Sequence, residues 1–349
     1  MFKAVENLVG SMVEGLIWIF TAKCNLSCRH CYVQPRFSKI PELELNEKLR
    51  VIEEAGELGI DYIGFSGGEP LVHPHFPLLL ERCHDLGMVN SIVTNGIALS
   101  YERARMLARY DVYVNVSVDG PDARTHELLR GPGTWSRLMK GIGALREAGV
   151  DFSMVMAVCR YNYLRSGDYV ELAERLGAVR VSLIPVMRSG MAANSDLLVD
   201  SREYAEAVRQ AVARAEELGM RLSLWCTPFA PLLTNSPYVG YWSCRQSSIA
   251  DLDPGGRILL CDVLDFVVAR VGRGGLREAL IEYETHPLIR KVSEPQALPR
   301  PCRSCPVANL CMGGCFARAF LERGTLEAAD PLCPRAACYT NEVENHIDD

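Results

Sequence analysis

TAKCNLSCRHCYV, residues 21–33, sets Cys24, Cys28 and Cys31 within eight positions, directly after the apolar run LIWIFT at 16–21. Four cysteines would close a structural zinc or ferredoxin-type site. Three thiolates instead fill three corners of a four-iron, four-sulfide cube and leave one iron open. An open coordination position is what separates a catalytic metal site from a structural one. A zinc loop with a distant fourth ligand is the rival reading, and His30, between Cys28 and Cys31, invites it. A loop that follows a predicted strand belongs at the C-terminal mouth of a parallel sheet, where such folds keep their active sites.

Outward from this loop, short β-rich runs alternate with helical stretches. The strand candidates are LIWIFT (16–21), YIGFS (62–66), SIVTN (91–95), VYVNVSV (112–118), FSMVMAV (152–158) and VRVSLIP (179–185). Helical patterns fill 46–59, 136–149 and 169–177. Near-continuous apolar strands alternating with helices predict an α/β fold with a covered parallel sheet. Six βα units, then a helix at 202–219 and a strand at 221–225, fall short of eight. A partial (β/α)6 TIM-like barrel is therefore expected over residues 1–225. Beyond 226 helical periodicity fades, turn signals such as DPGG (253–256) and PRPCRSCP (299–306) appear, and cysteines become dense. Residues 226–349 read as a small cysteine-rich iron–sulfur domain.

Composition narrows the partners. The chain is 48% hydrophobic and 23% charged, with a net charge of −6, which argues against non-specific nucleic-acid binding. No run approaches the roughly 18 apolar residues of a membrane span; GLIWIF (15–20) is far too short. MFKAVENLVGSMVEG, with Glu6 and Glu14, lacks the basic start and cleavage site of a secretory signal, so a cytoplasmic protein is expected. That compartment keeps thiols reduced, so fourteen cysteines point to metal ligation. Three lie at 24–31 and eight between 244 and 338, with only Cys83, Cys159 and Cys226 between. Cys83 and Cys159 read as buried bystanders.

CNLSCRHCY, with the aromatic Tyr32 after its third cysteine, resembles the signature of the radical S-adenosylmethionine superfamily. The resemblance implies a [4Fe-4S] cluster on Cys24, Cys28 and Cys31, whose open iron is chelated by the amino and carboxylate groups of S-adenosylmethionine. One electron then cleaves a carbon–sulfur bond, and the resulting 5′-deoxyadenosyl radical abstracts a hydrogen atom from substrate. FSGGEP (65–70) ends the second strand. Its glycines allow close backbone approach, and the resemblance implies that the backbone of Gly67, Gly68 and Glu69 holds the methionyl amino group. TNG (94–96) and SVDG (117–120) end the third and fourth strands, making Asn95, Ser117 and Asp119 candidates for the cosubstrate pocket or, alternatively, helix caps. SVDGPDARTHELLRGPGTW (117–135) resembles the SxDG…HDxxRG segment of the branch with extra C-terminal clusters, with Glu127 where Asp is usual. His126 and Arg130, four apart, share a helical face and read as a solvated pair.

Cys244-x11-Gly256-x4-Cys261, Cys302-x2-Cys305-x5-Cys311-x3-Cys315 and Cys333 resemble the seven-cysteine SPASM domain. That resemblance implies two auxiliary clusters, for three [4Fe-4S] clusters in all. Cys302, Cys305, Cys311 and Cys333 would hold the outer one, and Cys244, Cys261 and Cys315 the inner. The inner fourth ligand stays open between Cys226 and substrate, and Cys338 is surplus or an alternative to Cys333. A pair of zinc sites is the rival. Asp262, directly after Cys261, stands where sulfatase-maturating relatives place a proton-accepting Cys-Asp pair; it equally suits a turn cap.

Three functions follow. The first is a maturase that oxidises a peptide or protein side chain, its auxiliary clusters exchanging electrons with substrate and with a reducing partner such as ferredoxin or flavodoxin. The second applies the same chemistry to a cofactor, for instance a tetrapyrrole propionate; CNLxCxHCY suits haem-maturing relatives equally. The third is a non-catalytic multi-cluster electron carrier or zinc scaffold. With 23 residues before Cys24, no fused peptide-recognition domain is expected there, so a peptide would dock through a partner or directly on the barrel.

Overall fold

A computed structural model describes residues 13–338 of the chain; Glu6 of the N-terminal reading lies outside them. Eight parallel strands follow one another in order across the sheet: β1 (Gly15–Thr21), β2 (Tyr62–Gly67), β3 (Val89–Thr94), β4 (Tyr113–Ser117), β5 (Phe152–Val158), β6 (Arg180–Pro185), β7 (Arg221–Leu224) and β8 (Val239–Tyr241). Between them run α1 (Leu45–Glu57), α2 (Phe76–Asp85), α3 (Tyr101–Arg109), α4 (Ala123–Arg130), α5 (Thr134–Glu147), α6 (Ser166–Leu176) and α7 (Ser201–Leu218). The six βα units of the partial barrel are all present, and the expected α/β parallel-sheet fold stands.

Period-two alternation on β1 shows how the sheet is oriented. Leu16, Trp18 and Phe20 are fully buried in the main core, where Phe20, Phe65 and Phe76 meet with ring centroids 5.5–5.7 Å apart. Ile19 turns to the other face and packs under the cysteine loop with Val33 and Phe37. Helix ends follow local chemistry. Asp200 caps α7 in a reciprocal box with Glu203, Ser100 caps α3, Asp122 caps α4, and α7 stops at Gly219 in the left-handed region.

Beyond residue 226 the structure departs from the expected loss of periodicity. The sheet order β11-β10-β9-β1 carries β9 (Ile249–Leu252), β10 (Arg257–Leu259) and β11 (Val267–Arg270) onto the free side of β1. β9 is parallel to β1, with Asp251 opposite Ile17, and β10 runs antiparallel to both of its neighbours, β9 and β11. Five helices follow: α8 (Gly275–Thr285), which packs on α1, α9 (Pro287–Ser293), α10 (Arg300–Arg303), α11 (Ala308–Cys311) and α12 (Phe316–Arg323). Strands of three or four residues and helices of one to three turns are too short to display a period. The sheet ends at β11 and β8 without closing on itself. Among the described residues no helix is long and apolar enough to cross a membrane.

Candidate active site at the C-terminal rim of the sheet

The cysteine loop leaves the C-terminal end of β1 and is gripped by its neighbours. Gly68 N–H donates to Thr21 O and Glu69 N–H to Lys23 O, both at 2.8 Å. A Cβ on Gly67 would land on the Thr21 carbonyl oxygen, and one on Gly68 on that of Lys23. The paired glycines are thus what lets the turn after β2 lie against the backbone entering Cys24. From the far side Met191 N–H donates to Cys31 O at 2.8 Å, and Arg29 N–H donates to Leu129 O on α4 at 2.9 Å.

Glu69 is fully buried. Its carboxylate accepts from Thr94 Oγ1 and Asn95 N at 2.7 Å and from Leu71 N at 3.1 Å, so its side chain ties β2 to β3 rather than facing the rim. Burial raises its pKa against the pull of those donors. Asn95 does face the loop: Nδ2 donates to Asn25 Oδ1 at 2.7 Å and lies 3.8 Å from Cys24 Sγ. Ser117 is the last residue of β4 and is buried.

Asp119, wholly buried, accepts from Arg130 Nε at 2.6 Å and Ala157 N at 2.9 Å, and lies 3.4 Å from His30 Nε2. Burial is the largest single influence and raises its pKa, but the Arg130 guanidinium together with His30, His126 and the Ala157 N–H outweighs it and holds the carboxyl at about 2. Arg130 Nη1 reaches to 4.0 Å from Cys28 Sγ. The solvated-pair reading of His126 and Arg130 is therefore corrected. His126 is fully buried, its Nδ1 accepting from Asp119 N at 3.2 Å, and the Arg130 side chain is only 10% exposed. Helical spacing places both residues on one face but does not say that the face lies under the cysteine loop. His30 is occupied with Asp119, and burial drives its pKa down to about 4.

The C-terminal cysteines form two groups. The Cys226, Cys244, Cys261 and Cys315 thiols lie near enough to one another for each to feel the charge of others in the set. Cys302, Cys305, Cys311 and Cys333 line one small cavity. Cys338 is exposed, whereas Cys83 and Cys159 are buried. Burial pushes the Cys28 thiol up to about 11 and Cys244 up to about 12. Such thiols become thiolates readily only beside added positive charge, which a metal centre supplies. Among the described residues no three cysteine sulfurs lie within 4.8 Å of one another.

Asp262 stands between the two regions. Its backbone N–H donates to Asp251 Oδ2 at 2.9 Å, its carbonyl accepts from Arg36 Nη1 at 2.8 Å, and its carboxylate lies near the Tyr32 phenol, which pairs with Ser66 Oγ at 3.4 Å. Burial raises the Asp262 pKa. Carboxylate oxygens of Asp251 and Asp262 and the Cys261 Sγ lie within 4.8 Å of one another. Sequence reasoning missed Asp251, Tyr32 as a contact of Asp262, and Arg130. Only the arginine carried a signal, the RG after His126.

Residues 18–173 match the family model described as the radical SAM superfamily. The chain is 28% identical over 326 residues to the PqqA peptide cyclase of Granulibacter bethesdensis, covering 91% of this chain and 86% of that protein. It is 28% identical over 344 residues to the AdoMet-dependent heme synthase of Nitratidesulfovibrio vulgaris, covering 91% of each. In fold it is similar to Streptococcus suis SuiB bound to the precursor peptide SuiA, with a TM-score of 0.76 at 18% identity, covering 93% of this chain and 76% of that one. The matched segment takes in most of β1, the cysteine loop, the GGEP turn and the Asp119–Arg130 pair, so the chain is similar to the radical SAM superfamily over the part that carries its rim cysteines.

Proposed function

We propose that this enzyme oxidatively modifies a peptide side chain. The observation that carries the reading is the bridge made by Arg36, whose Nη1 donates to Tyr32 O at 3.1 Å and to Asp262 O at 2.8 Å. It joins the loop of Cys24, Cys28 and Cys31 to the C-terminal cysteine array, so both would address one substrate position. The donor chemistry fits three [4Fe-4S] clusters: the rim triad, the set of Cys226, Cys244, Cys261 and Cys315, and the set of Cys302, Cys305, Cys311 and Cys333. When bound, the rim cluster and S-adenosylmethionine supply hydrogen-atom abstraction.

The chain's own residues do the rest. Gly67, Gly68 and Asn95 shape the pocket beside Cys24, with Ser117 on the rim next to it. Arg130, held by Asp119, positions Cys28. Asp262 receives a proton from substrate at its carboxylate, which a raised pKa suits. Arg36 and Asp251 fix its backbone beside Tyr32. Electrons would come from a ferredoxin or flavodoxin.

The relatives include both a peptide cyclase and a heme synthase. Asp251 and Asp262, two carboxylates on the site, favour the peptide reading, because an anionic propionate would meet like charge there. The test is anaerobic reconstitution with iron and sulfide, then incubation with S-adenosylmethionine, dithionite and either a short peptide encoded beside the gene or an iron tetrapyrrole bearing propionates. About twelve irons per chain, 5′-deoxyadenosine release and a peptide lighter by two hydrogens support the proposal. Turnover of the tetrapyrrole alone overturns it in favour of the cofactor reading, and no 5′-deoxyadenosine at all leaves only a carrier.

A further inference from the structure

Cys311 of the outer cysteine set and Cys315 of the inner are joined by Met312, Gly313 and Gly314, with φ of 51°, 95° and 90°. Three consecutive residues in the left-handed region turn the chain abruptly from one set to the other. Against this turn lies Arg245, next in sequence to Cys244 and only 5% exposed. Its Nε donates to Gly314 O at 3.2 Å, Nη1 to Val292 O at 2.9 Å and Nη2 to Leu326 O at 3.2 Å. The guanidinium also lies 5.5 Å over the Phe316 ring.

All three hydrogen-bond acceptors are neutral carbonyls, and among the described residues no carboxylate forms an ion pair with Arg245. The neighbouring Arg318 makes the contrast. Its Nε and Nη2 each donate to Asp330 at 2.7 Å, so its charge is cancelled where it stands. Arg245 therefore keeps a full positive charge, buried, between the two groups of thiols. A buried cation without a counter-ion is costly unless negative charge arrives beside it. Thiolate-ligated clusters are anionic, and each added electron makes them more so. The potential of such clusters is set by net charge, hydrogen bonds and exposure.

We infer that Arg245 tunes both auxiliary clusters, its uncompensated charge stabilising their reduced states and so raising their midpoint potentials. The inference rests on the reading that the array holds clusters. Arg245 acts through the turn between Cys311 and Cys315 and the field it sets up, without touching substrate. It makes the array a better acceptor for the electron left behind when a substrate radical is oxidised.

The test uses full-length, anaerobically reconstituted protein as wild type, Arg245→Gln and Arg245→Lys. Iron per chain is counted first, and the auxiliary signals are then followed by electron paramagnetic resonance through a potentiometric titration. Arg245→Gln should keep its iron. At the wild-type midpoint its reduced-to-oxidised ratio should fall about tenfold, equivalent to about 59 mV for one electron. Arg245→Lys, which keeps the charge, should titrate close to wild type. Equal midpoints in Arg245→Gln and wild type would overturn the inference, and so would loss of iron from Arg245→Gln, which would make the residue a scaffold for the turn. A wild-type chain holding iron for the rim site alone overturns the cluster reading itself, and this shows before any variant is compared.

Discussion

Arg130 donates to Asp119 at 2.6 Å, and the same guanidinium lies 4.0 Å from the Cys28 sulfur. The pair is buried under the cysteine loop, so neither charge has water to fall back on. Removing one partner of a buried ion pair strands the other and typically costs about 3–5 kcal/mol, whereas replacing both with apolar groups is far milder. Asp119→Ala should therefore lower the unfolding free energy of the apoprotein by about 3–5 kcal/mol in urea. Asp119→Leu with Arg130→Met should recover most of that while still failing to position Cys28. A double variant as unstable as the single one would show that the pair is not what stabilises this corner.

Two glycines separate close packing from backbone freedom. A methyl on Gly68 would collide with the Lys23 carbonyl, a backbone atom that cannot swing aside. Gly143, inside α5, has open space around its Cβ position and no positive φ. Gly68→Ala should destabilise by more than about 2 kcal/mol and weaken iron retention at the rim site. Gly143→Ala should stabilise by roughly 0.5–1 kcal/mol through helix propensity, with iron unchanged. Differential scanning calorimetry and iron assay read both.

The barrel strands were legible because six of them are continuous apolar runs ending in polar rim residues, and the rim cysteines because their spacing admits few chemistries. Arg130 was not. Its separation from His126 says that the two share a face, but which face of α4 is buried depends on the loop from β1 folding over it. Asp251 belongs to a strand of four residues, IADL, with no period to reveal that it lies alongside Ile17. The motif gives the Glu69 backbone a place in the cosubstrate pocket but says nothing of its carboxylate, which Thr94, Asn95 and Leu71 take up. Side-chain direction at a strand end is a tertiary fact that a motif does not carry.

His126 gives the fold a pH dependence. Burial first, and the Arg130 charge second, drive its pKa from 6.5 down to about 4. In the unfolded chain the imidazole takes its proton near pH 6.5, so between there and pH 4 the unfolded state binds more protons. Stability is thus full above pH 6.5, falls as pH drops toward 4, and loses nothing further from this group below that. The swing is of order 3 kcal/mol. His126→Asn should flatten the stability profile of the apoprotein across this window. A wild-type profile already flat from pH 6.5 to 4, with His30 subject to the same pull, would sink the prediction.

Cys226 and Cys338 both stand outside the seven-cysteine pattern, and the structure separates them. Cys226 has φ of 52°, its carbonyl accepts from Arg318 Nη2 at 2.8 Å, and its thiol lies near Cys315, Cys244 and Cys261. A non-glycine residue held in the left-handed region is strained, and such strain persists where surrounding contacts over-determine it. Here those contacts aim the thiol into the inner set. Cys338 is exposed. Cys226→Ser should lower the iron of the reconstituted chain by about one to four atoms and alter one auxiliary paramagnetic signal, since a hydroxyl is a poorer ligand for iron than a thiolate. Cys338→Ser should leave both as they are. The reverse pattern, with Cys338 needed and Cys226 dispensable, would mean that Cys338, not the residue after β7, completes an auxiliary site.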